Sequence, residues 1–149
     1  MISKVLVAVD GSNYSDRAFD LALDFAEKFG ASLTVLNVSE AVVMSAVPQE
    51  TATYPSGSTT VVTKDLREIQ DEIISKYVDH ARVIKPNLQV SSMGKAGDAA
   101  IEIVDTAQEG FFDVIVVGHQ GLSKRRERFL GNVSEKVAHS APCTVIIVK

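Results

Sequence analysis

The sequence predicts an α/β fold, a parallel sheet covered by helices on both faces. Two observations carry this. Val5-Leu6-Val7-Ala8-Val9 and Val114-Ile115-Val116-Val117 are apolar runs of strand length without in–out alternation, as expected of strands buried on both sides. Strand-like runs also alternate strictly with segments of helical apolar spacing, which makes each helix a crossover between parallel strands. Such crossovers are right-handed.

The first run ends at Asp10-Gly11-Ser12, a turn signal, where Ser12 or Asn13 can cap the next helix. In that helix Ala18, Leu21, Ala22, Phe25, Ala26 and Phe29 recur at helical spacing, and Gly30 stops it. Ser32 to Val38 is the second strand. Residues 40–63 lose periodicity around Pro48, Pro55, Gly57 and a Ser/Thr cluster, so a long loop is expected there, either a mobile lid near a site or a surface insertion. Lys64 to Ile84 is an amphipathic helix with Leu66, Ile69, Ile73, Tyr77 and Ala81 on its buried stripe. Leu88 to Met93 is a short strand. Gly97-Asp98 opens a helix burying Ile101, Val104 and Ala107 and ending at Gly110. Asp113 to Gly118 is a strand, residues 119–130 a polar basic loop, Gly131 to about Ser140 a helix, and Cys143 to Val148 the last strand.

The chain has 149 residues, 46% hydrophobic and 23% charged, which fits one globular domain over 1–149. No apolar run approaches the roughly 18 residues of a membrane span. The N-terminus lacks signal-peptide architecture, and the single cysteine, Cys143, suits a reducing compartment. A cytoplasmic location is therefore expected. The net charge of -4 argues against a nucleic-acid binder.

The chemistry-bearing stretch is Gly118 to Ser134. It leaves a strand end and reaches a helix start, with glycines at 118, 121 and 131. Glycines let backbone approach a ligand, and a side chain at 131 is expected to enter ligand space. The helix N-terminus beyond Gly131 offers N–H groups and partial positive charge to an anion, phosphate above all. Asn132 and Ser134 add side-chain donors. No Walker A loop and no G-x-G-x-x-G fingerprint is present. In sheets of this kind ligands sit beyond the carboxyl ends of the strands, where Asp10 and Gly118 both lie.

Gly118, Gly121 and Gly131 match the G-x2-G-x9-G-[ST] spacing of nucleotide-binding universal stress proteins, except that Asn132 replaces the usual Ser or Thr. The opening Val7 to Ser12, the segment Gly131 to Val137 and the close Ser140 to Val148 also look like that family, so the resemblance spans the chain. It implies a Rossmann-like open sandwich of five strands in the order 3-2-1-4-5 with ATP or another adenine nucleotide in the crevice, Mg2+ optional. It implies that Ala8, Val9 and Asp10 lie near adenine and ribose and that the Val38 backbone bonds adenine. Gly118, Gly121, Gly131, Asn132, Val133 and Ser134 would hold ribose and phosphates. It further implies a homodimer through the C-terminal strand.

Three functions follow for comparison. The first is a nucleotide-binding regulatory protein of a stress response, acting on an unidentified protein partner. The second is a slow ATPase or autophosphorylating phosphotransferase using Asp10, Ser134 and the basic residues Lys124, Arg125, Arg126 and Arg128. The third is a dimeric interaction module without nucleotide. His80, His119 and His139 lack metal-ligand spacing, and Cys143 reads as core.

Overall fold

Val5, Leu6 and Val7 are fully buried in β1 (Lys4–Ala8), as a run apolar on both faces requires. The computed structural model describes residues 1–40, 57–121 and 131–149, with side chains of the 57–84 helix described from 66 onward. The remaining elements are α1 (Asn13–Phe29), β2 (Ser32–Ser39), α2 (Gly57–Ile84), β3 (Val90–Ala96), α3 (Ala99–Glu109), β4 (Val114–Gly118), α4 (Asn132–Ser140) and β5 (Thr144–Val148). The five strands form one sheet in the order β3-β2-β1-β4-β5, all neighbours parallel. Ala8 stands opposite Leu36, Val7 opposite Val116 and Gly118 opposite Val148.

The sheet divides two cores. On one face α1 and α2 close over Val5, Val7, Leu33, Val35, Val114 and Val116. On the other α3 and α4 close over Leu6, Leu36, Ile115 and Val117. β1, β2, β4 and β5 feed both cores through alternate residues, whereas β3 contributes Val90 to the first.

The order of the helices agrees with the sequence reading, while their buried faces are turned from it. In α1 the buried apolar residues are Ala18, Phe19, Ala22, Leu23 and Ala26, while Leu21 and Phe29 are exposed. The alanines let the helix axis approach the sheet, and the large residues flanking them settle on either side. In α2 Ile74, Tyr77 and Ala81 are buried, Ile73 packs at the margin, and Leu66 and Ile69 are exposed. In α3 Ala100, Ile103, Thr106 and Ala107 turn inward and Ile101 outward. Helix α2 begins at Gly57 rather than Lys64, so residues 57–63 belong to helix and not to the expected loop. The rest of that loop, 41–56, lies outside the described residues. β3 runs Val90–Ala96, later than expected.

Local chemistry explains the ends. Ser12 caps α1 by accepting from Ser15 N–H, and Gly30 closes it in the left-handed region at φ 64°. Asp98 caps α3 through Ile101 N–H. At the amino edge of the sheet the Asp113 carboxylate accepts from Ser3 N–H, Lys4 N–H and the Ser3 hydroxyl. These bonds hold its carboxyl below the usual aspartate range.

Candidate functional site

In the order 3-2-1-4-5 the switch point lies between β1 and β4, where the chain leaves toward opposite faces of the sheet. The loops after these strands meet there. Asp10, just past β1, accepts Ser12 N–H at 2.9 Å through Oδ1 and donates its own N–H to Ser15 Oγ at 3.0 Å. Its other oxygen faces the β4 loop: a Cβ at Gly121 would sit 2.7 Å from Asp10 Oδ2. Carboxylate and glycine backbone thus line one crevice.

The other two glycines serve the fold. A Cβ at Gly118 would lie 2.9 Å from the backbone carbon of Tyr14, so the first turn of α1 packs directly on β4. A Cβ at Gly131 would meet His119 O at 3.1 Å and Gln120 Cα at 3.2 Å. A side chain at position 131 would therefore press on the protein's own backbone. Gly131 N–H also bonds His119 O at 2.8 Å.

These contacts dock the start of α4 against the end of β4. Ser134, buried, points its hydroxyl at His119 O (2.9 Å) and Gly131 O (3.0 Å). Its single proton is committed to the protein, so the Ser134 side chain is not a spare donor. Gly131 is the N-cap and has no side chain to cap with, unlike Ser12 or Asp98. The N–H groups of Asn132, Val133 and Ser134, in the first helical turn, have no intrahelical acceptor. They present partial positive charge at the crevice. Asn132 is exposed.

Ala8, Val38 and Val133 are half-buried and pack at the margin of the α3/α4 core. Val9 turns the other way, into the α1/α2 core, and its backbone is engaged: its N–H donates to Leu36 O, and its carbonyl accepts from Asn37 Nδ2 at 2.8 Å. Asp10 and Gly121 thus meet directly at this crevice, while Ala8 and Val38 stand at the same carboxyl end of the sheet and the α4 start docks on the end of β4. Val9, Gly118, Gly131 and the Ser134 hydroxyl build the frame of the crevice.

Sequence reasoning missed the polar supports behind this space. Asn37, buried, receives Gln70 Nε2 of α2 at 3.1 Å on both its backbone and side-chain oxygens. A second support is a directed chain. Asp10 N–H donates to Ser15 Oγ, Ser15 to Tyr77 Oη, and Tyr77 to the Asp16 carboxylate. Tyr77 has one proton and spends it on Asp16, so Ser15 is the donor between them. The available signal was Asn37 itself, an amide inside an apolar strand.

Among the described residues no cluster of His, Cys, Asp and Glu could hold a metal ion. Burial, and then the Asp113 charge, push the Cys143 thiol above its ordinary value, against a nucleophilic role. No described helix is long and apolar enough to cross a membrane. Lys124, Arg125, Arg126 and Arg128 lie outside the described residues.

The model of the universal stress protein family matches residues 1–149. The chain belongs to the universal stress protein family. Universal stress protein YxiE of Bacillus subtilis is 32% identical over the full length of both chains. Among solved structures, protein MJ0577 matches with a TM-score of 0.81 at 21% identity, covering 100% of this chain and 96% of that one. A universal stress protein in complex with cAMP matches with a TM-score of 0.72 at 26% identity, covering 99% and 97%. The universal stress protein of Archaeoglobus fulgidus in complex with dAMP matches at 0.69 and 24%, covering all of both chains. The five-stranded parallel sheet in the order 3-2-1-4-5 is a Rossmann-like fold shared with these solved structures.

Proposed function

We propose that this universal stress protein binds an adenine nucleotide, ATP foremost, in the crevice between β1 and β4, and acts as a regulatory protein of the stress response in the cytoplasm. One observation carries the reading: Asp10, Gly121 and the α4 start, which no side chain caps, converge at the switch point. In this reading Ala8, Val38 and Val133 flank the base. Asp10 meets the ribose hydroxyls, while Gly121 and the N–H groups of Asn132, Val133 and Ser134 hold phosphates. Support also comes from the 26% identical relative, a cAMP complex. A Mg2+ accompanying the nucleotide would be carried by the phosphates themselves. The protein acts as a homodimer through β5, with a protein partner as its target.

The test is direct. Purified protein is denatured and its supernatant separated by nucleotide chromatography, and the emptied protein is titrated with ATP by calorimetry. Stoichiometric adenine nucleotide is expected in at least one of the two. Absence in both sinks the reading.

The Asp10 oxygen that faces Gly121 favours a second reading, slow phosphoryl transfer. That reading expects magnesium-dependent turnover reduced by Asp10→Ala. Binding without turnover rules it out.

A further inference from the structure

The hydrogen-bond pattern of β2 identifies a residue with a task of its own. Along β2, odd residues turn their backbone groups toward β3: Leu33 N–H donates to Gln89 O, and Ser39 O accepts from Gly97 N–H. Even residues turn theirs toward β1, as Leu36 O does in accepting Val9 N–H at 2.9 Å. The next rung of that ladder would be Val38 N–H to Val9 O. Among the described residues it is not made. The Val9 carbonyl instead accepts the Asn37 side chain at 2.8 Å. Only the nitrogen end of the amide can donate to a carbonyl, which fixes its orientation.

The amide is braced from behind. Gln70 Nε2 lies 3.1 Å from Asn37 Oδ1, 3.1 Å from Asn37 O and 2.9 Å from Lys95 O. It reaches them by crossing β3 at Gly94, where a Cβ would stand 2.6 Å from Gln70 Oε1. Glycine at 94, the glutamine and the buried asparagine form one built unit on the α1/α2 face. Its product appears on the β1 side of β2: a strand peptide whose N–H and C=O face the crevice with no partner among the described residues.

We infer that Asn37, held by Gln70, is a positioning residue that ends the β1–β2 ladder one rung early, so that the Val38 peptide stays open to read a purine edge. An open N–H and C=O match a base that pairs a ring-nitrogen acceptor with an amino donor. Adenine carries an amino donor at position 6, where guanine carries a carbonyl acceptor. With ribose and phosphate fixed at the other end of the crevice, this edge selects adenine. The inference rests on the nucleotide reading above.

Two measurements test it, one without ligand. In the ligand-free protein, amide exchange at Val38 is fast, whereas Leu36, inside the ladder, is protected. In Asn37→Leu the Val9 carbonyl lacks its donor, the rung closes, and the Val38 amide becomes protected. ATP protects Val38 in the wild type. The variant loses about tenfold or more in ATP affinity, the worth of one to two hydrogen bonds, and its ATP-to-GTP preference falls toward one. Gln70→Met, which unbraces the amide without entering β2, shifts both readouts in the same direction by less and serves if Asn37→Leu does not fold. Nucleotide binding with a Val38 amide already protected in the ligand-free protein overturns the inference alone. So does an unchanged ATP-to-GTP preference in both variants. A wild type that binds no nucleotide overturns both this inference and the nucleotide reading.

Discussion

Gly118 and Gly121 belong to one motif, yet a methyl group added at each meets different matter. At 118 it strikes the backbone of Tyr14, which cannot move without shifting α1. Gly118→Ala is therefore expected to destabilise the fold by about 1–3 kcal/mol, the usual cost of overpacking. At 121, an exposed position, it strikes, among the described residues, the tip of the Asp10 side chain, which can rotate away. Gly121→Ala is expected to leave stability within about 0.5 kcal/mol, as for surface substitutions generally. It should weaken ATP binding about tenfold by displacing the carboxylate from the ribose. Chemical denaturation and calorimetry on the two variants separate the roles. Equal destabilisation, or unchanged affinity in Gly121→Ala, would refute this division. Spacing in the sequence located these residues, but which of them faces a ligand is decided by the turn of α1 and the loop packed against them.

At the scale of elements, the strands were legible because double-sided burial leaves a continuous apolar run. Helix faces were less so. Counting large apolar residues favours Leu21 and Phe29, whereas contact with the sheet is made through Ala18, Ala22 and Ala26. Helix α2 is the instructive case: Gln70 and the Tyr77 hydroxyl supply its links to the site, and a search for an apolar stripe finds the tyrosine ring but discards the glutamine. Tyr77 lies with its ring edge against Phe19, centroids 4.9 Å apart, and its hydroxyl between Ser15 and Asp16. Burial first, and then the Asp16 carboxylate, raise its ionisation well above the ordinary 10.0. Above that ordinary value the unfolded chain gives up this proton and the folded chain keeps it. The unfolded state then binds fewer protons, so stability falls as pH rises. Tyr77→Phe should cost about 1–2 kcal/mol at neutral pH, the range of a buried hydrogen bond. Its deficit against wild type should shrink as pH is raised from about 8 to about 11, because the variant has no proton to lose. Urea titrations across that range check it, and a constant deficit would show that the hydroxyl does not stay protonated in the fold.

For the whole molecule, strand order was legible only through the family resemblance, since alternation alone fixes a parallel sheet and not the sequence of its strands. Of the Asn37–Gln70 link only one end was legible, the amide inside an apolar strand, because the two residues are joined through the sheet and not through local spacing. The strand order also sets the edges, and β5 is one of them. An apolar edge strand tends to pair with another chain, which is the physical basis of the proposed homodimer. The backbone directions are readable. His119 N–H bonds Val148 O, so Val148 and Ile146 turn their peptide groups toward β4. Val145 and Ile147 therefore turn theirs outward. Proline is tolerated on an edge strand where the lost N–H faces away from the sheet. Ile147→Pro should keep the β4–β5 ladder and remove a rung from any pairing between two copies. Ile146→Pro should break the ladder itself and destabilise the fold. Light scattering with size exclusion is expected to show a wild-type dimer and an Ile147→Pro monomer, with circular dichroism unchanged between them. A wild type that stays monomeric, or an Ile147→Pro protein that still dimerises, would place the contact elsewhere than along the β5 backbone.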